Sequence, residues 1–204
     1  MQSPSASTTT NPSRSPTQAL RRAVLYLLSI SPVIALLVLL AWGELRANGN
    51  SGGRLEYDET GEVAVDVRAA PDFDGIDLVS GASVSQAGTE GEVVMVDFWS
   101  SWCTACRIEA AGLASVYAEY ADQPVEFVGV AIWDVPGDVL RYLDRYSVTY
   151  PNVLDERGRT AVRYGVAGVP EKFFLDREGN IVRRINGPLP PEKLREVLDE
   201  LLAS

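Results

Sequence analysis

Val93-Val94-Met95-Val96-Asp97-Phe98-Trp99-Ser100-Ser101-Trp102-Cys103-Thr104-Ala105-Cys106 is an apolar run that breaks at two serines and delivers two cysteines. So continuous an apolar stretch predicts a strand buried on both faces, as in a parallel sheet. Leu113, Val116, Tyr117 and Tyr120 then recur at helical spacing, so a helix runs from the cysteines to about Ala121. The two thiols therefore sit where a buried strand hands over to a helix. They are the only cysteines among 204 residues. A pair at this spacing can close a small disulfide ring and reopen it by exchange, two electrons at a time.

Other uses of the pair fare worse. Zinc commonly takes four Cys and His ligands, and this chain has no histidine and no third cysteine. Covalent haem attachment needs a histidine after the second cysteine, where Arg107 stands. A purely structural disulfide across two residues closes a loop too small to remove much unfolded-state entropy. Placement favours exchange instead. Cys103 falls at the helix start, where unpaired N–H groups and the positive end of the dipole stabilise a thiolate. Cys106 lies one turn inside, on the face of Ala110, Leu113 and Tyr117, and points into the protein.

The rest of the chain organises around this junction. Residues 1–22 are rich in Ser, Thr, Pro and Asn and read as a disordered tail. Residues 23–42 carry no charge and are mostly Leu, Val, Ile and Ala, enough for a transmembrane signal anchor across a core of about 30 Å. Arg14, Arg21 and Arg22 precede this span, which places the N-terminus in the cytoplasm and the remainder outside, across the cell membrane. A cleaved signal peptide is the alternative, although its apolar region is usually shorter. Residues 43–62 include Asn48-Gly49-Asn50-Ser51-Gly52-Gly53 and form a flexible linker, and 63–204 form the folded domain. Beyond position 46, 14 basic and 27 acidic residues give a formal charge of −13, a surface that excludes nucleic acid as a partner.

Within the domain, Val63–Val67 alternates as a strand, a hairpin is expected around Gly75 and Gly81, and Val125–Ile132 is a second buried strand. Pro136–Tyr146 reads as a helix, and Lys172–Leu175 and Ile181–Ile185 flank a turn. Pro190-Pro191 opens a last helix, and the whole is an α/β layer fold. Asp97 lies inside an apolar strand. Buried, it needs a partner and has a raised pKa; turned outward by the pleat, it is an ordinary surface acid. Glu109 lies three residues after Cys106, on the inner stripe of the helix.

The cysteine segment, followed by Tyr164-Gly165-Val166-Ala167-Gly168-Val169-Pro170-Glu171-Lys172-Phe173-Phe174-Leu175-Asp176, resembles the thioredoxin superfamily. It is most similar to the membrane-anchored TlpA/ResA/CcmG (DsbE) group over roughly residues 66–203. Residues 129–168, with Tyr150-Pro151-Asn152-Val153-Leu154-Asp155, resemble that group's extra helix and strand. The resemblance implies a thioredoxin-like fold, exchange through Cys103 and a cis Val169–Pro170 peptide beside the cysteines. It also implies substrate contacts at Val169 and Pro170, with Trp102 as a flat rim beside the sulfur. Asp97 matches the carboxylate that takes the proton from the resolving cysteine, although many members of the group lack an acid there. Glu109 matches a glutamate that tunes thiol acidity, and Glu171 stands where many relatives carry Thr.

These residues predict an extracytoplasmic thiol–disulfide oxidoreductase without a further cofactor or metal, in which Cys103 attacks a partner disulfide and Cys106 resolves the mixed disulfide. The resemblance points to reduction of apocytochrome c, or of a carrier that delivers it, with recharging by a membrane conduit of the CcdA/DsbD kind. Three rivals stay open. A disulfide-forming oxidant differs only in reduction potential, which Thr104-Ala105 alone does not set. A peroxidase of the peroxiredoxin type lacks its Thr-x-x-Cys setting, since Ser100 stands three before Cys103. A Cu(I) chaperone suits two soft thiolates, although such proteins usually add a histidine.

Overall fold

The computed structural model describes residues 28, 31–39 and 61–204. The chain falls into two units, residues 1–54 and 55–204. In the first, residues 31–39 are helical, and among the described residues no helix is long and apolar enough to cross a membrane. The tail expected over 1–22, and all of the expected linker over 43–62 except its last two residues, lie outside the described residues. So does half of the expected anchor over 23–42.

In the second unit the strand Val93–Trp99 (β5) is buried at every position. It pairs in parallel with Val125–Ile132 (β6) on one side and antiparallel with Glu171–Leu175 (β8) on the other. Asn152–Asp155 (β7) extends the sheet beyond β6, and Asn180–Asn186 (β9) extends it beyond β8. Glu62–Val63 (β1) and Arg68–Ala69 (β2) both lie against β9. Asp74–Ile76 (β3) and Ser83–Ser85 (β4) form a separate hairpin around Gly81, as expected. The helices are Thr104–Glu119 (α1), Pro136–Tyr146 (α2), Arg159–Tyr164 (α3) and Pro191–Leu202 (α4).

Strand pleating divides the core in two. Val93, Met95 and Trp99 of β5 join Phe127 and Ala131 of β6 beneath α1, α2 and α4, together with both cysteines. Val94, Val96 and Phe98 face the opposite side with Val128, Val130 and Ile132, against Tyr164 of α3 and Phe173 of β8. Phe98, Tyr164 and Phe173 form a ring cluster there, with centroids 5.1–5.7 Å apart. Asp97 therefore points to the cysteine side by parity alone.

One local reading changes, and one helix is new. The strand expected over Val63–Val67 breaks into β1 and β2, because residues 64–67 face only residues 182–183 of β9 and must arch away. Helix α3 is too short to show a period, and tertiary contacts set it: the Asp155 carboxylate accepts the N–H groups of Arg159, Thr160 and Ala161 at its first turn.

Gly129 of β6 admits no side chain. A Cβ there would lie 1.8 Å from Asn152 Oδ1, the atom that accepts the buried Trp99 Nε1–H at 2.9 Å. Gly129→Ala should overpack the site and break that bond, costing roughly 3 kcal/mol, read as a lowered urea midpoint with unchanged m-value.

Candidate active site

The β5–α1 junction is pinned before the cysteines begin. Ser100 Oγ donates to the Ile132 carbonyl at 2.7 Å, and the Asp134 carboxylate accepts both the N–H and the hydroxyl of Ser101. Arg107 Nε returns from α1 to the Ser101 carbonyl at 2.7 Å. The next residues therefore leave the sheet in one fixed direction.

Cys103 is the N-cap of α1, and its Sγ accepts the Cys106 N–H at 3.1 Å. The two cysteines form a disulfide. Cys106 is wholly enclosed, whereas Cys103 keeps 6 % exposure. The same capping contact would hold a Cys103 thiolate after reduction, with the helix dipole acting in the same direction. Trp102 and Ile108 stand exposed beside the pair, and Trp102 Nε1–H reaches the Trp133 carbonyl.

Facing the sulfurs is the loop that enters β8. The Val169–Pro170 peptide is cis, and the Val169 carbonyl oxygen lies 3.7 Å from Cys103 Sγ. Ala167–Pro170 with Asn186 and Gly187 line a shallow cavity of about 240 Å³. Glu171 holds this loop from beneath. Its buried carboxylate accepts the Ala167 N–H at 2.9 Å and pairs with Arg184, whose Nη2 also reaches the Gly165 carbonyl.

Behind Cys106 lies a buried charge cluster. Asp97, Glu109 and Lys172 are 2 %, 6 % and 0 % exposed. Asp97 thus faces inward, which excludes the surface-acid alternative, and Glu109 lies on the inner stripe as expected. Lys172 Nζ pairs with Glu109 Oε1 and lies 3.6 Å from Asp97 Oδ1, an ion-pair distance too long for a hydrogen bond. Glu109 Oε2 accepts the Leu189 N–H at 2.7 Å. Burial pushes the Asp97 carboxyl up, against the opposing pull of Lys172. Burial also raises Glu109, to about 7, with Lys172 opposing the rise and Asp97 adding to it.

Tyr142 completes the enclosure. Its hydroxyl donates to the Cys106 carbonyl at 2.8 Å and its ring stacks on Trp99 at 4.1 Å. Burial raises its pKa, and the negative charges of Asp97 and Glu109 raise it further, which keeps the phenol a donor. The structure brings together Cys103, Cys106, Asp97, Glu109, Val169 and Pro170, with Trp102 at the rim. Sequence reasoning missed Lys172 and Tyr142. A lysine directly before Phe173-Phe174-Leu175 is the same kind of signal as an aspartate within Val-Asp-Phe-Trp, whereas Tyr142 reads only as a core position of α2.

Residues 67–184 match the AhpC/TSA family. The thiol-disulfide oxidoreductase ResA of Oceanobacillus iheyensis is 30% identical over 136 residues, covering 65% of this chain and 71% of that protein. The thiol:disulfide interchange protein HelX of Rhodobacter capsulatus is 34% identical over 115 residues, 56% of this chain and 63% of that one. A crystal structure assigned to the thiol:disulfide interchange protein DsbE of Chlorobium tepidum superposes with a TM-score of 0.62 at 29% identity. The match covers 68% of this chain and 99% of that one.

The cluster should leave a mark on stability. A carboxyl whose folded pKa lies above its unfolded value keeps a proton that the unfolded chain has already lost, so its contribution falls as pH rises between the two values. For Glu109 that window runs from 4.5 to about 7. Urea midpoints of the oxidised protein should decline across this window. Glu109→Gln should flatten the decline, and an equally steep slope in that variant would contradict the assignment.

Proposed function

The chain belongs to the AhpC/TSA family, and from that membership we propose a membrane-tethered reductant that opens disulfides of exported partner proteins in cytochrome c maturation. The enzyme is a thiol–disulfide oxidoreductase of the ResA/HelX/DsbE type with a thioredoxin-like fold. The observation that carries the reading is the capped Cys103 Sγ, beside the Val169 carbonyl and in front of an enclosed Cys106.

The chemistry follows from those positions. Reduced Cys103 attacks one sulfur of the client disulfide, and the other client sulfur leaves as a thiolate. The Val169 carbonyl is placed to accept a backbone N–H of the client, while Pro170 and Trp102 give it an apolar rest. Cys106 then gives its proton to the Asp97–Glu109 pair and attacks Cys103 Sγ, and the second client sulfur departs. Two electrons have moved to the client and the enzyme disulfide has closed. With no histidine in the chain, the carboxyls are the groups available for this proton.

Tethering is supported by the uncharged residues 23–42 and by the arginines that precede them. An exported reductant must be recharged, and a membrane conduit of the CcdA/DsbD kind would supply its electrons. The client is apocytochrome c or the carrier that presents it before haem attachment, as the ResA and CcmG resemblance implies.

Replacing Cys106 with Ser removes the resolving thiol and should trap the client on Cys103. The reading predicts a mixed disulfide with a c-type apocytochrome or its carrier, lost on reduction and absent from Cys103→Ser. Capture of assorted secreted proteins instead would favour a general oxidant or isomerase.

A further inference from the structure

Two carboxyls and one ammonium, all enclosed and within ion-pair reach, do not balance. Fully ionised, Asp97, Glu109 and Lys172 carry a net negative charge out of contact with water, which burial penalises; one retained proton makes the cluster neutral. The partners of the three groups are unequal. Glu109 has both oxygens engaged, one by Lys172 and one by the Leu189 N–H. Lys172 Nζ also reaches the Gly187 carbonyl at 3.4 Å. Asp97 Oδ1 is buried with no hydrogen-bond partner among the described residues.

Register explains why the lysine is there. Asp97 and Lys172 are direct cross-strand partners of β5 and β8, and Glu109 comes down on them from α1. The other titratable groups that feel the two carboxyls are Tyr142 of α2 and Tyr150 before β7, both phenols whose pKa values burial raises. Arg107, on the outer side of α1, is exposed and bonded to the Ser101 carbonyl. Lys172 is the one cation among the described residues that pairs with Asp97 or Glu109.

We propose that Lys172 is a positioning residue for the resolving step: it pins Glu109 and offsets the ionisation of Asp97, so that the carboxyl pair can release its shared proton and act as base toward Cys106. The proposal rests on Asp97 and Glu109 as the proton acceptor. In that step the Cys106 S–H bond breaks and its proton passes to the carboxyl pair. The sulfur electron pair forms the bond to Cys103 Sγ, and the Cys103–client bond breaks with its electrons on the client thiolate. The proton is assigned to the pair rather than to either acid, because both carboxyls lie within ion-pair reach of the same ammonium. Without the ammonium both carboxyls hold protons to higher pH, and the base is missing where the enzyme works.

Release of thionitrobenzoate from Cys103 loaded with that thiol reports the attack by Cys106 directly, and stopped-flow absorbance can follow it from pH 5 to 9. The wild-type rate should rise with pH as the pair ionises. Lys172→Met should move the midpoint up by at least about one pH unit, making release about tenfold slower on the rising limb, with the high-pH plateau kept. Lys172→Arg should bring the midpoint back toward wild type. A lower rate in Lys172→Met with an unmoved midpoint would mean a merely structural lysine and overturn the proposal. If Asp97→Asn or Glu109→Gln changes the profile while Lys172→Met does not, the lysine's role alone fails. If none of the three changes it, the carboxyl pair is not the acceptor and both readings fall. Should Lys172→Met not fold, carboxyl carbon NMR of the oxidised wild type decides: one proton shared by Asp97 and Glu109 at pH 6 supports the proposal, and two ionised carboxylates overturn it.

Discussion

The antiparallel register between β5 and β8 ties the two halves of the active site to each other. It sets Asp97 opposite Lys172 and Phe98 opposite Glu171. Because β8 begins at Glu171, Pro170 and Val169 must lie just beyond the end of β5, where Ser100–Cys103 leave the sheet. A slip of one residue would turn Lys172 to the far face, strand Asp97 without a counter-charge and carry the Val169 carbonyl away from Cys103. The apolar side chains on both faces of β5 make such a slip costly, since every one of them would change sides.

Charge burial is the compromise at the centre of the domain. Taking three ionisable groups out of water under α1 carries a desolvation penalty that an apolar cluster of the same volume would not. They sit behind Cys106, which is wholly enclosed and has no access to water as a proton acceptor. The surroundings reinforce that isolation. Tyr142 closes the α2 side through the Cys106 carbonyl, and Leu189 supplies an amide from the segment before α4. On the opposite side of the sheet a second pair, Glu171 with Arg184, bears on the cis-proline loop and leaves the cysteine cluster alone. Adjacent residues of β8 thus bear on the charge cluster and on the cis-proline loop separately, because successive side chains of a strand point to opposite faces.

Much of this was legible in the chain. The apolar run into Cys-x-x-Cys, the period of α1, the extent of β6 and α2, and the β8–β9 hairpin all follow from local pattern. Strand β7 was visible only through family resemblance, and α3 not at all. A four-residue strand and a six-residue helix carry too little period to read, and Asn152 and Asp155 owe their places to bonds with Trp99 and the start of α3.

By itself, then, the sequence determined where the thiols stand on the chain, which cysteine caps the helix and which faces inward, and that no histidine is at hand for their protons. These are matters of spacing and composition, and a short stretch of chain contains them. The tertiary structure decided what surrounds them. Lys172 lies 63 residues from Glu109 and becomes its counter-ion only when β8 is laid against β5, while Val169 approaches Cys103 across 66 residues of chain. Such contacts depend on strand order and register, which long-range packing selects and no local pattern encodes.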